Sequence, residues 1–250
     1  MSFWFFLSPE SFQERVVLPG DILQHLKALR LKAGDIIVLS DGEGRAFYAR
    51  LDYIRKEDAA ASLLGEVETE VEPPLEVTLY PGITKGEKLD EVIRHAVELG
   101  VRRIAPVLTG RSVVKYSEKK GREKAARWQK IAFSAASQCR RRFVPRVEGP
   151  LSFDDMLHEL ASGREEIIII PWEGEKERGF AQLARDFPEP PRALAIFTGP
   201  EGGISPSEME KLRQCRGVRP VTLGTRILRA ETAPLAVLSI VMYLWGDLGG

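Results

Sequence analysis

The stretch Thr198-Gly199-Pro200-Glu201-Gly202-Gly203-Ile204-Ser205 decides the fold class, because it joins an apolar run to a helix start through several glycines. Residues 193–197 are the apolar run, and Ser205-Pro206-Ser207-Glu208 has the composition of a helix N-terminus. Ser stands at the cap, Pro at the first helical position and Glu three residues on. We therefore predict a fixed turn at the carboxyl end of a strand, where open α/β sheets bind their ligands.

The chemistry of this turn excludes the common nucleotide-binding loops. No Lys-Ser or Lys-Thr pair follows Gly202-Gly203, as a phosphate loop requires, and the spacing differs from the dinucleotide fingerprint. The Glu201 carboxylate would also repel a pyrophosphate. A second glycine turn, within residues 223–233, carries Glu231. A neutral or cationic ligand held by backbone groups remains, and S-adenosylmethionine, whose sulfonium is positive, is one ligand that fits.

Length and composition limit the other possibilities. The chain has 250 residues and no net charge, which allows one large domain or two small ones. Its two cysteines, Cys139 and Cys215, lack metal-ligand spacing, so we expect reduced thiols and no metal site. No basic leader opens the sequence, and no apolar stretch reaches the roughly 18 residues of a membrane helix. We expect a cytoplasmic protein.

Charge is strongly segregated along the chain. Residues 101–150 hold 14 Lys and Arg against 3 acidic residues, whereas the rest of the chain holds 22 against 33. So dense a basic stretch indicates a polyanion partner such as nucleic acid, and a solvated basic helix is the alternative. Tyr116, Trp128 and Phe143 lie within the stretch and could stack on bases, although core packing is the commoner role for each.

Residues 1–72 have the short alternating apolar runs of a small β-barrel. One helix is predicted over residues 21–31, and strands are predicted over residues 3–7, 35–40, 45–53 and 63–71. Consecutive prolines interrupt both helix and sheet, so Pro73-Pro74 marks a domain boundary. We therefore predict two domains, residues 1–72 and residues 73–250.

From residue 73 onward strands and helices alternate, which is typical of an α/β domain. Strands are predicted over residues 75–80, 103–108, 167–170, 193–198 and 220–223. Helices are predicted over residues 85–99, 118–138 and 232–245. The final helix is apolar on all sides, so we expect it to be buried on all sides, which a second copy of the chain would complete. The sequence thus predicts a homodimer.

The two glycine turns, together with Ile227-Leu228-Arg229-Ala230-Glu231-Thr232-Ala233, resemble those of the knotted SPOUT class of RNA methyltransferases. Within that class the chain is similar to the 16S ribosomal RNA uracil-N3 methyltransferases. The resemblance covers nearly the whole chain, with further matches in residues 25–35, 85–100 and 111–138. It departs at Ser134, where an acidic residue is expected, and at Cys139-Arg140-Arg141, both on the RNA side.

This resemblance implies a PUA-like, RNA-binding β-barrel over residues 1–72. It implies a SPOUT α/β methyltransferase domain over residues 73–250, with a C-terminal trefoil knot and with S-adenosyl-L-methionine held by loops at residues 171–173, 199–204 and 223–228. The cofactor-binding residues it implies are Thr198, Gly199, Glu201, Gly203, Leu223, Gly224, Ile227, Leu228, Thr232 and Ala233. The candidate RNA-binding residues are Arg30, Arg111, Lys115, Arg140, Arg141 and Arg142.

The reaction that the resemblance implies is methylation of N3 of a uridine in 16S ribosomal RNA, on the 30S subunit. Uracil N3 becomes nucleophilic only when its imide proton leaves, so the protein must position the base and stabilise an anion. Arg229 is the candidate for stabilising that charge, with a salt bridge to Glu201 or Glu231 as its alternative role. Glu201 or Glu231 would accept the proton, and the sequence does not choose between them.

Two other functions are compatible with the sequence. A related enzyme would methylate a ribose 2′-hydroxyl or guanine N1 of transfer RNA, and a protein of another class would bind RNA without catalysis. The match of Lys85-Gly86 and of residues 111–115 disfavours the first alternative. The presence of both Arg229 and Glu201 disfavours the second.

Overall fold

The structure, a computed structural model, describes residues 3–68, 71–114 and 116–249 and divides the chain into two compact units. The first unit is Met1–Glu72 with Ala136–Val144, and the second is Pro73–Ala135 with Pro145–Gly250. One division falls between Glu72 and Pro73, at the proline pair. No pattern in the sequence predicts that residues 136–144 belong to the first unit.

Glu72 holds the returning segment in the first unit. Its Oε1 accepts hydrogen bonds from the backbone N–H groups of Arg142 and Phe143, at 3.0 and 3.1 Å. Its Oε2 accepts hydrogen bonds from Nη2 and Nε of Arg141, at 2.6 and 3.0 Å. Hydrogen bonds to a charged acceptor are among the stronger ones, so a single carboxylate anchors three consecutive residues.

The first unit contains a five-stranded sheet and the helix α1, Gly20–Ala28. The strands are β1 Trp4–Phe6, β2 Arg15–Leu18, β3 Ile36–Ser40, β4 Ala46–Ile54 and β5 Ala59–Glu66. Their order is β1-β3-β4-β5-β2, with β1 parallel to β3 and all other neighbours antiparallel. The buried side chains of Ile37 and Leu39 in β3 and of Leu51 in β4 lie in one hydrophobic cluster with Leu26 of α1. The predicted β character of this region is confirmed.

Two strands of this unit differ from the prediction. Strand β2 is only four residues long and was missed. The strand predicted over residues 63–71 lies earlier, at Ala59–Glu66, where its leading alanines pair with both β2 and β4. Alanine is a poor strand former, so pairing with neighbours rather than local preference sets this strand. Thr69 and Glu70, inside the predicted range, lie outside the described residues.

The second unit is built on a wholly parallel six-stranded sheet, ordered β13-β11-β12-β6-β7-β9. The strands of the unit are β6 Glu76–Pro81, β7 Arg103–Ile104, β8 Val107–Leu108, β9 Arg146–Val147, β10 Leu151–Ser152, β11 Ile167–Pro171, β12 Ala193–Thr198 and β13 Val218–Val221. Strands β8 and β10 form a separate parallel pair. The helices are α2 Lys88–Glu98, α3 Glu118–Gln138, α4 Phe153–Ala161, α5 Phe180–Asp186, α6 Pro206–Arg213 and α7 Thr232–Trp245.

The α/β character predicted for this region is confirmed, with one strand divided. Residues 103–108 form β7 and β8 instead of one strand, because Pro106 cannot donate a ladder hydrogen bond. The four isoleucines of β11 are completely buried, as a central strand of a parallel sheet requires. The predictions for β12, α3 and α7 match the observed bounds.

The carboxyl ends of four strands meet at one edge of this sheet. Thr198 at the end of β12 pairs with Pro81 at the end of β6, and Pro171 at the end of β11 pairs with Val221 at the end of β13. Parallel strands that end in register deliver their following loops to the same place. The sheet therefore brings together two glycine turns that are distant in sequence.

The final helix, α7, is buried on one side only within the single chain. Val237, Leu238, Val241 and Met242 are completely buried, whereas Tyr243 is 65 % exposed. The expectation that the helix is buried on all sides is therefore not met by one chain alone. Its outer face is also apolar and is half-buried at Leu235, Ala236, Ile240 and Leu244.

Candidate functional site

The first glycine turn begins where β12 ends. The Gly203 N–H donates to the Pro200 carbonyl at 2.8 Å, and Gly203 has a φ of +69°, which favours glycine. A Cβ on Gly199 would lie 2.8 Å from the Gly203 carbonyl carbon, so the turn closes only around glycine. The predicted capping box of α6 is present: Ser205 Oγ accepts from the Glu208 N–H, and Glu208 Oε2 accepts from the Ser205 N–H.

This turn forms one wall of a cavity of about 480 Å³ at the carboxyl edge of the parallel sheet. Residues 171–173 and 222–231 form other walls, so the three loops named from the resemblance do meet. The volume lies in the ordinary range of small-molecule sites. Nine of the ten predicted cofactor-binding residues line the cavity, namely Thr198, Gly199, Glu201, Gly203, Leu223, Gly224, Ile227, Leu228 and Ala233.

Two predicted cofactor-binding residues are placed differently from the rest. Thr232 is not among the lining residues; it opens α7, and its N–H donates to the Arg229 carbonyl at 2.9 Å. Ile227 lines the cavity, but its side chain is 87 % exposed and lies at the rim. We therefore expect contacts from Ile227 to a ligand inside the cavity to come from its backbone.

Glu201 is held firmly on the cavity wall. Its Oε1 accepts a hydrogen bond from the Lys85 N–H at 3.1 Å and lies 3.4 Å from Lys88 Nζ. Burial alone would raise the pKa of this carboxyl, but hydrogen bonds from its own and the Lys85 backbone N–H and from Lys88 outweigh burial and lower the pKa. Glu201 is therefore ionised at neutral pH and is a weak proton acceptor.

Glu231 also lines the cavity and shares Lys88 with Glu201. Its Oε2 is 3.5 Å from Lys88 Nζ, and its Oε1 is 3.9 Å from Arg229 Nη1. Within the described parts of the chain, Oε2 is buried and has no hydrogen-bond partner, and the same holds for Thr198 Oγ1. Buried polar atoms without partners are costly, so a ligand that satisfies them gains affinity.

Arg229 lies at the rim of the cavity with 82 % of its side chain exposed. Its contact with Glu231, at 3.9 Å and largely in solvent, contributes little to stability. The guanidinium is therefore available to a substrate. The salt bridge to Glu231, predicted as the alternative role of Arg229, is present but weak, and the catalytic role of Arg229 stays a prediction.

Lys88 is a site residue that sequence reasoning missed. It lies in the first turn of α2, lines the cavity and contacts both Glu201 and Glu231. The sequence offers one weak signal, its position shortly after Lys85-Gly86. A lysine in a charged helix carries no mark of partners more than a hundred residues away.

The predicted RNA-binding residues belong to different units and environments. Arg30 and Arg140 are exposed and Arg142 is half-buried, all in the first unit. Arg111, in the second unit, donates from Nη1 to the Gly202 carbonyl at 2.7 Å, so it lies beside the cavity. Lys115 lies outside the described residues.

Arg141 was wrongly predicted to bind RNA. Its side chain is 5 % exposed, and its Nη2 lies 2.6 Å from Glu72 Oε2. A buried guanidinium with a carboxylate partner is not available to a phosphate, so Arg141 is a structural residue. Trp128, a stacking candidate, is also buried and donates from Nε1 to Asp90 at 3.2 Å, which makes it a core residue.

Among residues 3–68, 71–114 and 116–249, no group of three or more His, Cys, Asp and Glu side chains could hold a metal ion. Burial raises the pKa of the Cys215 thiol. Over the same described residues, no helix has the length and apolarity needed to cross a membrane.

Family models match both parts of the chain. A model described as an RNA methyltransferase domain matches residues 71–242. A model described as an RNA methyltransferase PUA domain matches residues 18–64. The first match alone covers more than half of the sequence.

Individual proteins agree with the family models. Ribosomal RNA small subunit methyltransferase E of Bacillus subtilis is 33 % identical over 231 residues, which cover 90 % of this chain and 89 % of that protein. The protein of the same name from Synechocystis is 34 % identical, over 96 % of this chain and 77 % of that protein. The crystal structure of ribosomal RNA small subunit methyltransferase E from Neisseria gonorrhoeae, bound to S-adenosyl methionine, has a TM-score of 0.88 and 35 % identity, over 99 % of this chain and 100 % of that one. With these matches spanning nearly its whole length, the chain belongs to the RNA methyltransferase family.

Proposed function

We propose that the chain is an S-adenosylmethionine-dependent methyltransferase that modifies N3 of a uridine in 16S ribosomal RNA, on the 30S subunit, in the cytoplasm. The observation that carries the proposal is the cavity where three loops meet, with Arg229 at its rim and two carboxylates on its walls. The likeness to the cofactor-bound Neisseria enzyme supports the choice of cofactor. The uridine N3 and the 30S particle rest on the sequence resemblance.

The cavity suits this cofactor by its polar atoms as well as its size. In the described chain, Thr198 Oγ1 and Glu231 Oε2 are buried on its walls without hydrogen-bond partners. Gly203 leaves room for a ligand, because a Cβ there would have no backbone atom within 4 Å. Gly203, Leu223 and Leu228 would hold the cofactor through their backbones. When bound, it supplies a methyl group carried by a positively charged sulfur.

The contribution of the chain to catalysis is positioning and charge. Loss of the N3 proton leaves negative charge on the ring oxygens of uracil, and the exposed Arg229 guanidinium can donate hydrogen bonds to them. We assign proton acceptance to Glu231, because its Oε1 lies 3.9 Å from Nη1 of Arg229, the residue proposed to contact the uracil, whereas Lys88 pairs with its Oε2. Glu201 is the weaker candidate, because its hydrogen bonds lower its pKa.

The proposal is tested by supplying the purified chain with cofactor carrying a labelled methyl group, together with 30S subunits or free 16S ribosomal RNA. We expect label in the RNA of the subunits and much less in free RNA. Equal labelling of both would contradict the part of the proposal that concerns the assembled particle. Absence of label from both substrates would contradict the enzymatic assignment.

We further propose that the C-terminal segment passes through a loop of the chain as a trefoil knot. The strand order supports this: β11 lies between β12 and β13, so the chain crosses β11 on its way to the last strand. The resemblance to the SPOUT class points the same way. General rules of chain topology disfavour knots, so the resemblance is essential to this proposal.

Arg140→Gln and Arg141→Gln are expected to change different properties, RNA binding in the first case and fold stability in the second. Arg140 is exposed, so its loss should lower the salt dependence of RNA binding by about one unit of slope without destabilising the fold. Arg141→Gln should leave that slope unchanged and lower the free energy of unfolding by roughly 3 kcal/mol, because the Glu72 carboxylate loses its charged partner. RNA titrations at several salt concentrations and urea unfolding measure both effects. An unchanged slope in Arg140→Gln would mean that Arg140 is only a solvated charge.

We also propose a homodimer formed through the outer face of α7. Tyr243→Asp is then expected to produce monomers in sedimentation experiments, since it places a carboxylate in an apolar contact. Leu238 is unsuitable for this test because it is completely buried within its own chain. Tyr48→Asp, at a 39 % exposed tyrosine of the first unit, is the matched control. A stable dimer of Tyr243→Asp would place the interface elsewhere.

A further inference from the structure

We propose that Lys88 is a positioning residue whose ammonium group bridges Glu201 and Glu231 and so fixes the spacing of the two loops that bind the cofactor. Lys88 Nζ lies 3.4 Å from Glu201 Oε1 and 3.5 Å from Glu231 Oε2. Glu201 belongs to the turn after β12, and Glu231 directly precedes α7. The inference rests on the proposed function, because it gives Lys88 its role in the cofactor site.

The bridge differs from an ordinary surface ion pair. The side chains of Lys88, Glu201 and Glu231 are 38 %, 31 % and 19 % exposed, so all three are partly shielded from water. Both carboxylate oxygens lie within 3.5 Å of the same nitrogen. Removal of that nitrogen would leave two carboxylates facing each other, an arrangement in which like charges disfavour ionisation of both.

The other charged groups around the cavity do not replace Lys88. Glu173, Lys176, Arg226 and Arg229 also line it. Among the ion pairs of the described residues, Glu201 has Lys88 as its cationic side-chain partner, and Lys85 adds only its backbone N–H. Arg229 reaches Glu231 at 3.9 Å, on the other carboxylate oxygen and with its own side chain mostly in solvent. Lys88 is therefore the group that links the two loops.

The test is the binding of S-adenosylhomocysteine, which shares the cofactor scaffold but has an uncharged sulfur, measured by calorimetry at pH 6 and pH 8. We expect Lys88→Met to weaken binding about tenfold at pH 8, a free-energy change equal to that of one pKa unit. At pH 6 the loss of affinity should be smaller. Without Lys88 the two carboxylates repel each other, so protonation of either one is easier than for an isolated carboxyl, and it relieves the repulsion between the loops as the pH falls. The wild-type protein should show little change over this range.

Three variants separate this charge effect from packing. Lys88→Arg should restore wild-type affinity at both values of pH. The double variant Lys88→Met with Glu231→Gln should lose the pH dependence, because one of the two repelling charges is gone. Lys85→Met is the matched control, since it removes a lysine whose contact with Glu201 is made by the backbone.

An unchanged affinity in Lys88→Met, or a loss of equal size at both values of pH, would overturn the inference. In either case the wild-type protein would still bind cofactor and methylate RNA, and the proposed function would stand. Failure of the wild-type protein to bind either S-adenosylmethionine or S-adenosylhomocysteine would overturn both.

Discussion

Arg229→Ala is expected to lower the single-turnover methylation rate about a hundredfold, the size typical of losing one preorganised charge donor. Cofactor affinity should change little, because the Arg229 side chain lies mostly in solvent at the cavity rim. The loss should shrink as pH rises, since more of the uracil imide is ionised before it reaches the enzyme. Rapid-quench measurements with 30S subunits over a range of pH give both quantities.

Two further variants define the chemistry of this position. Arg229→Lys should recover only part of the rate, because an ammonium cannot reproduce the planar donor fork of a guanidinium. Arg226→Ala removes an equal charge from the same loop and should cost much less. If Arg229→Ala instead lowered melting temperature and cofactor affinity together, with an unchanged pH profile, Arg229 would be a structural brace.

Gly199→Ala is expected to weaken cofactor binding by up to about a hundredfold. The new Cβ would lie 2.8 Å from the Gly203 carbonyl carbon and 3.0 Å from Ile204 Cγ1, and a backbone atom cannot rotate away. Overpacking of this kind costs about 1–3 kcal/mol, so the turn must open and lose its shape. Gly203 is a poorer choice, because its φ of +69° strains any side chain even without a ligand.

Gly179→Ala is the matched control for this substitution. Gly179 precedes α5, and a Cβ there would have nothing within 4 Å. Calorimetry should give wild-type cofactor affinity for this variant and a large loss for Gly199→Ala, with melting temperatures showing that both are folded. Equal affinities in the two variants would contradict the assignment of the cavity to the cofactor.

The elements that the sequence predicts well are those with a continuous local pattern. The bounds of α3, β12 and α7 match because each is a long periodic or apolar run. The capping box at Ser205 and Glu208 is likewise readable, since both partners lie within one turn. The two-residue strand β9 was not predicted, and β7 was predicted only as part of a longer strand over residues 103–108. Pairing between distant segments, which has no local pattern, sets such short strands.

Long-range contacts account for what sequence reasoning missed in the site. Lys88 gains its partners only when α2 reaches the loops after β12 and β13. Arg141 is an arginine like its neighbours Arg140 and Arg142, but its side chain is buried in the first unit, where it pairs with Glu72. The lining residues were predictable because two glycine turns carry a distinctive sequence, whereas the roles of single charges depend on contacts that sequence spacing does not show.

The identity of the methylated nucleoside distinguishes uracil N3 from other methylation sites in the RNA. The chain would be incubated with unmethylated 30S subunits and labelled S-adenosylmethionine, and the RNA digested to nucleosides for separation by chromatography and mass spectrometry. The label is expected in 3-methyluridine from 16S ribosomal RNA, and the Arg229→Ala variant should incorporate it about a hundredfold more slowly. Label on a ribose 2′-oxygen or on guanosine would contradict the assignment of uracil N3.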